Sequence, residues 1–343
     1  MADLLKTMVS AARHARRQPL SAVLALPRLL VPSGPKRKRR ASAWPRTWRE
    51  ESTAPPRPAP GTFLADAFTC PHGTLDYRFY TPQGSGRRRM PLVVMLHGCS
   101  QSASDFAAGT DMNRLADDLG VLVLYPQQSP TANVGRCWNW HDPKNQARGR
   151  GEPAVIAALT RHAISLGRAN PSRVYIAGIS AGGTAAAIIG AAYPDLYAAV
   201  GVHSGLPLGN IRSLRSAMSA MLGRSGSQST DKLPPQLPTI VFHGDSDRVV
   251  HPSNAAGFLR NLERSRSAPL LCTTTYGRSP GGRDFTRKTY TTKAREVLLE
   301  EWTVHGSGHG WSGGRAAGSH TDPAGPDASR EMLRFFLSRR QSD

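Results

Sequence analysis

From about residue 61 onward, short apolar runs alternate with longer segments of helical spacing. Leu75-Asp76-Tyr77-Arg78-Phe79-Tyr80 changes polarity at every second position, the pattern of a half-exposed strand. Residues 91–96 and 121–125 are continuous apolar runs, as expected of strands covered on both faces in a mostly parallel sheet. Between them, residues 104–119 read as a helix that stops at Gly120, a residue suited to the left-handed turn after a helix. Residues 152–166 have the same spacing and close on Gly167. A strand follows at 173–177 and an alanine-rich helix at 181–193. Residues 198–202 and 239–242 supply further strands, and helices are expected near 211–222 and 254–264. A last strand spans 296–304 and a closing helix 329–338. The alternation predicts an α/β fold, a mostly parallel central sheet flanked by helices. In such sheets function gathers in the loops beyond the carboxyl ends of the strands.

Residues 1–60 do not share this pattern and are expected to form a separate arm, leaving 61–343 as one α/β domain. They carry 13 Lys or Arg against 3 Asp or Glu, half of the formal excess of +20. An amphipathic basic start is followed by a modestly apolar stretch that Pro27 and Arg28 interrupt, then by Lys36-Arg37-Lys38-Arg39-Arg40 and a proline-rich linker at 55–60. The order resembles an export signal, but no clean small-x-small cleavage site follows. Three readings stay open: a degenerate export signal, an arm that meets an anionic surface, and a solvated disordered tail. No apolar run approaches the roughly 20 residues of a membrane-spanning helix, so the chain is not expected to be transmembrane. Outside the arm the positive charge is diluted, with no recognition helix or RNA-binding signature, so specific nucleic-acid recognition is not expected. Four cysteines, Cys70, Cys99, Cys137 and Cys272, are too few for a disulfide scaffold. Cys99 and Cys137 fall in segments that should approach the site, and a bridge between them is a testable expectation.

The chemistry sits where the fold predicts it. Gly178-Ile179-Ser180-Ala181-Gly182 is a G-x-S-x-G turn between a predicted strand and a predicted helix. That context forces a serine into a tight, exposed elbow at a helix N-terminus. A serine hydroxyl needs a base, and the base a carboxylate to orient it. In the α/β-hydrolase order these follow as Ser, Asp or Glu, then His. The strand at 239–242 runs into His243-Gly244-Asp245-Ser246-Asp247, and Gly306-Ser307-Gly308-His309-Gly310 follows the last strand. Asp245 and Asp247 both qualify as the acid on this evidence. Among the histidines, His97 and His243 end buried strands and should be structural, hydrogen-bonded to backbone. His203, His251 and His305 are further candidates by composition. His305 and His309 have an H-x-x-x-H spacing, but Gly306 and Gly308 argue against a helix and no third ligand is evident, so no zinc site is expected. Backbone N–H groups of Ala181 and Cys99 are the expected oxyanion donors. Trp138, Trp140 and Trp311 either wall the substrate site or pack loops on the sheet; the residues alone favour neither.

From about residue 63 to 337 the chain resembles the polyhydroxybutyrate depolymerase family of esterases. The resemblance rests on Leu96-His97-Gly98-Cys99-Ser100-Gln101, Cys137-Trp138-Asn139-Trp140, Arg148-Gly149-Arg150-Gly151-Glu152 and Ala177-Gly178-Ile179-Ser180-Ala181-Gly182-Gly183. It continues through His203-Ser204-Gly205-Leu206, His243-Gly244-x-x-Asp247-x-x-Val250, Gly308-His309-Gly310-Trp311-Ser312-Gly313-Gly314 and Thr321-Asp322-Pro323. The resemblance implies an α/β-hydrolase fold, Ser180 as nucleophile, Asp247 as acid, His309 as base, and no cofactor. It further implies short-chain polyhydroxyalkanoate oligomers or similar short-chain esters as substrate, and an extracellular location, although the unclear N-terminus leaves the cytoplasm open. Family members acting on solid polymer often add a C-terminal substrate-binding domain, and the chain stopping soon after its last helix favours soluble oligomers or small esters. Feruloyl or acetyl esters of carbohydrate are the alternative substrate class. A surface-binding protein with an inactive hydrolase core is the alternative of another kind, and the complete triad argues against it.

Overall fold

The computed structural model describes residues 61–84, 89–209, 211, 213–224 and 236–341. The expectations placed on residues 1–60 lie outside the described residues. Strands β3 (Leu92–Leu96), β4 (Leu122–Gln127), β5 (Val174–Ile179), β6 (Ala199–His203) and β7 (Thr239–Gly244) are buried along almost their whole length. Together with β10 (Val297–Val304) they pair in parallel in the order β4-β3-β5-β6-β7-β10. Their continuous apolar runs meet the demand of a sheet with both faces covered. Helices α3 (Gly151–Leu166), α4 (Ala181–Ala192) and α6 (Ala255–Arg264) contribute to the core on one face of the sheet. Helices α1 (Ala103–Thr110), α2 (Met112–Leu119) and α7 (Ala328–Leu337) cover the other. A shorter helix, α5 (Leu214–Met221), opens with a capping box between Ser213 and Ser216. Among the described residues no helix is long and apolar enough to cross a membrane.

The sheet extends beyond the sequence expectation at both edges, to ten strands. On one side β1 (Thr62–Cys70) and β2 (Gly73–Thr81) form an antiparallel hairpin, with β2 antiparallel to β4. On the other, β8 (Leu271–Arg278) and β9 (Asp284–Thr291) add a second hairpin next to β10. Both outer strands are largely exposed and so lack the apolar signature that identified their neighbours. The threonines of β8 and the turn Pro280-Gly281-Gly282 were the legible signals for the second hairpin.

The helix expected over 104–119 is two helices. Asp111 between them takes the left-handed conformation, φ 52°, which aspartate tolerates better than most residues. The break frees carbonyl groups for other use: Gly109 O accepts the Arg315 N–H at 2.8 Å and Thr110 O the Ser329 hydroxyl at 2.7 Å.

Helix α7 anchors the chain end to the sheet. Phe336 is fully buried and stacks on Tyr175 of β5, with ring centroids 5.0 Å apart. Truncating Phe336 to alanine leaves a cavity that the sheet cannot close. The Phe336→Ala variant should therefore lose about 3–5 kcal/mol of stability, read as a lowered urea midpoint; an unchanged midpoint would contradict this packing.

Candidate active site

The parallel strands β3, β5, β7 and β10 all end on one rim of the sheet, and each supplies one loop of the site. Ser180 follows β5 and precedes α4, with φ 57° and ψ −122°. This is a strained conformation for a residue with a side chain. The strand-to-helix turn is so tight that a Cβ at Gly182 would strike the carbonyls of Leu96 and His97. The Ser180 N–H donates to His203 O at 2.9 Å, and the start of α4 grows directly from the elbow.

Asp247 lies in the loop after β7, its side chain fully buried. Its Oδ1 accepts the N–H groups of Val249 (2.8 Å) and Val250 (2.9 Å), and its Oδ2 accepts His309 Nδ1 at 2.7 Å. His243 Nε2 approaches the same Oδ2 at 3.5 Å while lying 2.9 Å from Val250 O. Burial alone would raise the Asp247 carboxyl; the hydrogen bonds from His243, His309 and Val250 outweigh it and hold the group well below the usual carboxylate range. A carboxylate on Nδ1 fixes that nitrogen as the protonated one and leaves His309 Nε2 as the acceptor. Asp245, the rival acid, is partly exposed and pairs with His305 instead, Nδ1 to Oδ2 2.8 Å. The two histidines of the H-x-x-x-H pair thus serve two different carboxylates.

The loop after β3 carries Cys99, and a disulfide joins it to Cys137. Among the described residues no hydrogen bond uses the N–H of Cys99 or of Ala181. The loop itself is closely held. Gly98 N–H donates to Gln101 Oε1 (2.9 Å), and Gln101 Nε2 donates to Asp105 Oδ2 (3.0 Å) and Ser319 O (3.1 Å). His97 sits fully buried, accepting Gln128 N–H at Nε2 (3.0 Å) and donating from Nδ1 to Gly98 O (2.8 Å). Burial lowers its pKa to about 4, so it is neutral and structural, as its place at a strand end suggested. His243 is likewise bonded to backbone.

Trp138 and Trp311 are each only 1% exposed. Trp138 Nε1 donates to His97 O (3.1 Å), and Trp311 Nε1 to the Ser329 hydroxyl (3.0 Å). Both indoles are buried and tied to acceptors inside the protein, so at these two positions they pack loops onto the sheet. Trp140 is also buried, in an apolar cluster with Cys137, Ala181, Leu206 and Val250, against which Cys99 packs. That cluster brings the Ser180 elbow, the loop after β7 and the loop after β3 onto one support.

Several supporting residues lay in motifs whose roles were not legible. His203 Nε2 accepts the Ser312 N–H at 2.9 Å, linking the end of β6, whose His203 carbonyl holds the Ser180 N–H, to the loop that follows His309. Burial and the nearby His243 lower the His203 pKa to about 3. Ser307 donates to Asp322 Oδ2 at 2.6 Å, and Arg283 Nε donates to the same oxygen at 2.5 Å. Glu152 accepts Asn139 N–H (2.8 Å), Asn139 Nδ2 (2.8 Å) and Gln128 Nε2 (2.6 Å), so it fixes the loop that carries Cys137.

A strained serine elbow, a buried carboxylate–imidazole pair one loop away and this strand order define an α/β-hydrolase fold. Among solved structures, the acetyl xylan esterase from Aspergillus awamori superposes with a TM-score of 0.58 at 19% identity, covering 77% of this chain and 94% of that one. The family described as esterase PHB depolymerase matches residues 75–268. A poly(3-hydroxyalkanoate) depolymerase C of Paucimonas lemoignei is 30% identical over 254 residues, 69% of this chain and 59% of that protein. A feruloyl esterase B of Thermothelomyces thermophilus is 27% identical over 217 residues, 58% of this chain and 72% of that protein. The chain belongs to the PHB depolymerase family of esterases.

Two measurements check this geometry. Thiol titration of the unfolded, unreduced protein should find two reactive cysteines, Cys70 and Cys272, and four after reduction; four before reduction would exclude the bridge. His97 and His203 bind protons less readily folded than unfolded, because burial lowers both. Between their unfolded pKa, about 6.5, and the folded values, the unfolded chain holds more protons, so stability falls as pH drops through that window. The urea midpoint should decline steadily from pH 7 to pH 4.5, and a flat midpoint would mean that neither ring is buried neutral.

Proposed function

We propose that the chain is a serine esterase that hydrolyses short-chain esters through an acyl-serine intermediate, with residues 61–343 as its catalytic domain. The observation that carries this reading is the buried Asp247–His309 pair, 2.7 Å apart, in the loops flanking a strained Ser180 elbow. His309 Nε2 takes the Ser180 proton as the oxygen attacks the ester carbonyl. Asp247 holds the ring and stabilises its positive charge. The Cys99 and Ala181 N–H groups receive the developing oxyanion, aided by the positive end of the α4 dipole. The protonated His309 then gives its proton to the departing alcohol, and water repeats the sequence on the acyl-enzyme. No step calls for a metal or an organic cofactor.

For the substrate, the match to the depolymerase family and the P. lemoignei relative support oligomers of 3-hydroxybutyrate or closely related hydroxyalkanoates. The feruloyl esterase relative supports a second reading, esters carried on carbohydrate. The basic arm at residues 1–60 suits an anionic surface, and the family resemblance suits an extracellular setting.

Ser180→Ala and His309→Ala should each lower kcat on a short p-nitrophenyl ester by about 10⁴- to 10⁶-fold with the fold intact. Asp247→Asn should lower it by about 10⁴-fold, because the ring then takes the wrong tautomer. Activity of Ser180→Ala equal to that of the unaltered protein would end the serine-esterase reading. Across a panel, hydrolysis of a 3-hydroxybutyrate oligomer supports the first substrate class. Cleavage of feruloyl or acetyl sugar esters alone supports the second.

A further inference from the structure

Two Asp–His pairs stand side by side beyond the ends of β7 and β10. Asp247 and His309 form the inner, buried one; Asp245 and His305 form the outer one, with side chains 39% and 43% exposed. The second pair has no part in the chemistry set out above, yet its geometry repeats that of the first, Nδ1 to Oδ2 2.8 Å.

We propose that Asp245 and His305 are positioning residues that hold the loop bearing His309 in its reactive placement. The inference rests on the triad reading given above. The loop runs His305-Gly306-Ser307-Gly308-His309-Gly310, and its three glycines give it more backbone freedom than residues with side chains would. Packing restrains it only in part: Ser307 is buried, but a Cβ placed on Gly308 would meet nothing within 4 Å. Polar ties restrain it further. The Asp245 carboxylate accepts the Gly306 N–H at Oδ1 (2.7 Å) and the His305 ring at Oδ2. With Nδ1 donating to Asp245, His305 Nε2 accepts the Thr286 hydroxyl of β9 at 2.8 Å. The His305 N–H donates to Asp284 O at 2.9 Å. One carboxylate thereby grips both the backbone and the side chain at the start of the base loop, and the ring carries the tie across to β9. At the far end of the loop, Asp247 grips His309 itself. The two carboxylates are two residues apart on one turn, which is itself pinned to β10 and the base loop by Asp245 N to Val304 O (3.1 Å) and Ser246 N to Ser307 O (3.0 Å).

Because the outer pair is half-exposed, it adds little to global stability. Its loss should appear in the reaction. A displacement of the base by about 1 Å is enough to cost on the order of 10²-fold. The experiment uses the full chain and a short p-nitrophenyl ester. Asp245→Ala and His305→Ala should lower kcat by about 10- to 100-fold, leave KM within about threefold, and leave the thermal midpoint unchanged. Asp245→Asn keeps an acceptor for the Gly306 N–H and should recover part of the loss. A residue acting through His309 has nothing to position once that ring is gone, so Asp245→Ala should cause no further loss in a His309→Ala background. Unchanged kcat in Asp245→Ala, with Ser180→Ala and His309→Ala inactive, overturns the positioning role and leaves the triad standing. So does an equal fractional loss in the His309→Ala background. Full activity of His309→Ala overturns the triad reading and this inference with it.

Discussion

A carboxylate removed from water must find a partner for each lone pair or give up its charge. Asp247 meets that demand completely, and much of the site follows from how. Two of its partners are N–H groups of its own loop, Val249 and Val250, which forces the chain after β7 into a tight turn. A third, His243, comes from the end of β7 itself. The last, His309, must arrive from another strand, and β10 delivers it because it pairs in parallel with β7 in a register that sets Val304 beside Gly244. A side chain at 244 would collide with the Ser307 carbonyl. Glycine there is what lets the two loops close on each other, and that closeness makes the buried pair affordable in an apolar setting.

The two sides of the site are held by different means. Around His309 the ties are carboxylates, Asp245, Asp247 and Asp322, each receiving hydrogen bonds from the glycine-rich loop. At the loop after β3 the tie is covalent: the disulfide fastens Cys99 to Cys137. The Ser100 N–H donates to Gly135 O at 2.7 Å beside it. The Cys137 segment in turn rests on Gln128 and Glu152. The Glu152 carboxyl is raised by burial, in part offset by the bonds from Asn139 and Gln128. The difference suits the tasks proposed above for His309 and for the Cys99 N–H. A base must exchange protons and change charge during a turnover, which neighbouring carboxylates support. An oxyanion donor only needs to stay where it is, and the gain from a preorganised donor depends on its not moving.

Much of this was legible in the sequence, for physical reasons. Strands covered on both faces must be continuously apolar, so β3 to β7 could be read directly, and with them the loops where chemistry belongs. The elbow was legible because only a small set of residues fits between a buried strand and a helix that nearly touch. The edge strands were not, since exposed strands such as β8 have no buried face to mark them. Apart from the family pattern, which implies Asp247, nothing in the sequence separates Asp245 from Asp247, because both sit in one polar turn. Burial separates them, and burial here depends on the two valines after Asp247 turning their N–H groups inward. The tryptophans were undecided in the sequence. Aromatic residues in site loops suit a substrate wall, but the indole N–H of Trp138 and of Trp311 finds its acceptor inside the protein, and a ring so tied is committed to packing.

Helix α4 carries the imprint of the elbow in its composition. A serine held at positive φ costs on the order of 1–3 kcal/mol, and the surrounding structure has to hold it there. The helix does so by lying almost in contact with the sheet: ten of its residues, Ala181 to Gly190, are buried. Gly178 and Gly182 approach each other so closely that a Cβ on the first would lie 2.5 Å from the backbone of the second. Alanine and glycine are the side chains such a contact admits. The apolar cluster of Trp140, Leu206 and Val250 then packs against Ala181 from above, so the helix start is clamped between the sheet and the loops of the site. The alanine-rich helix, easily read as a plain core element, is the part that turns burial of apolar surface into a fixed position for Ser180.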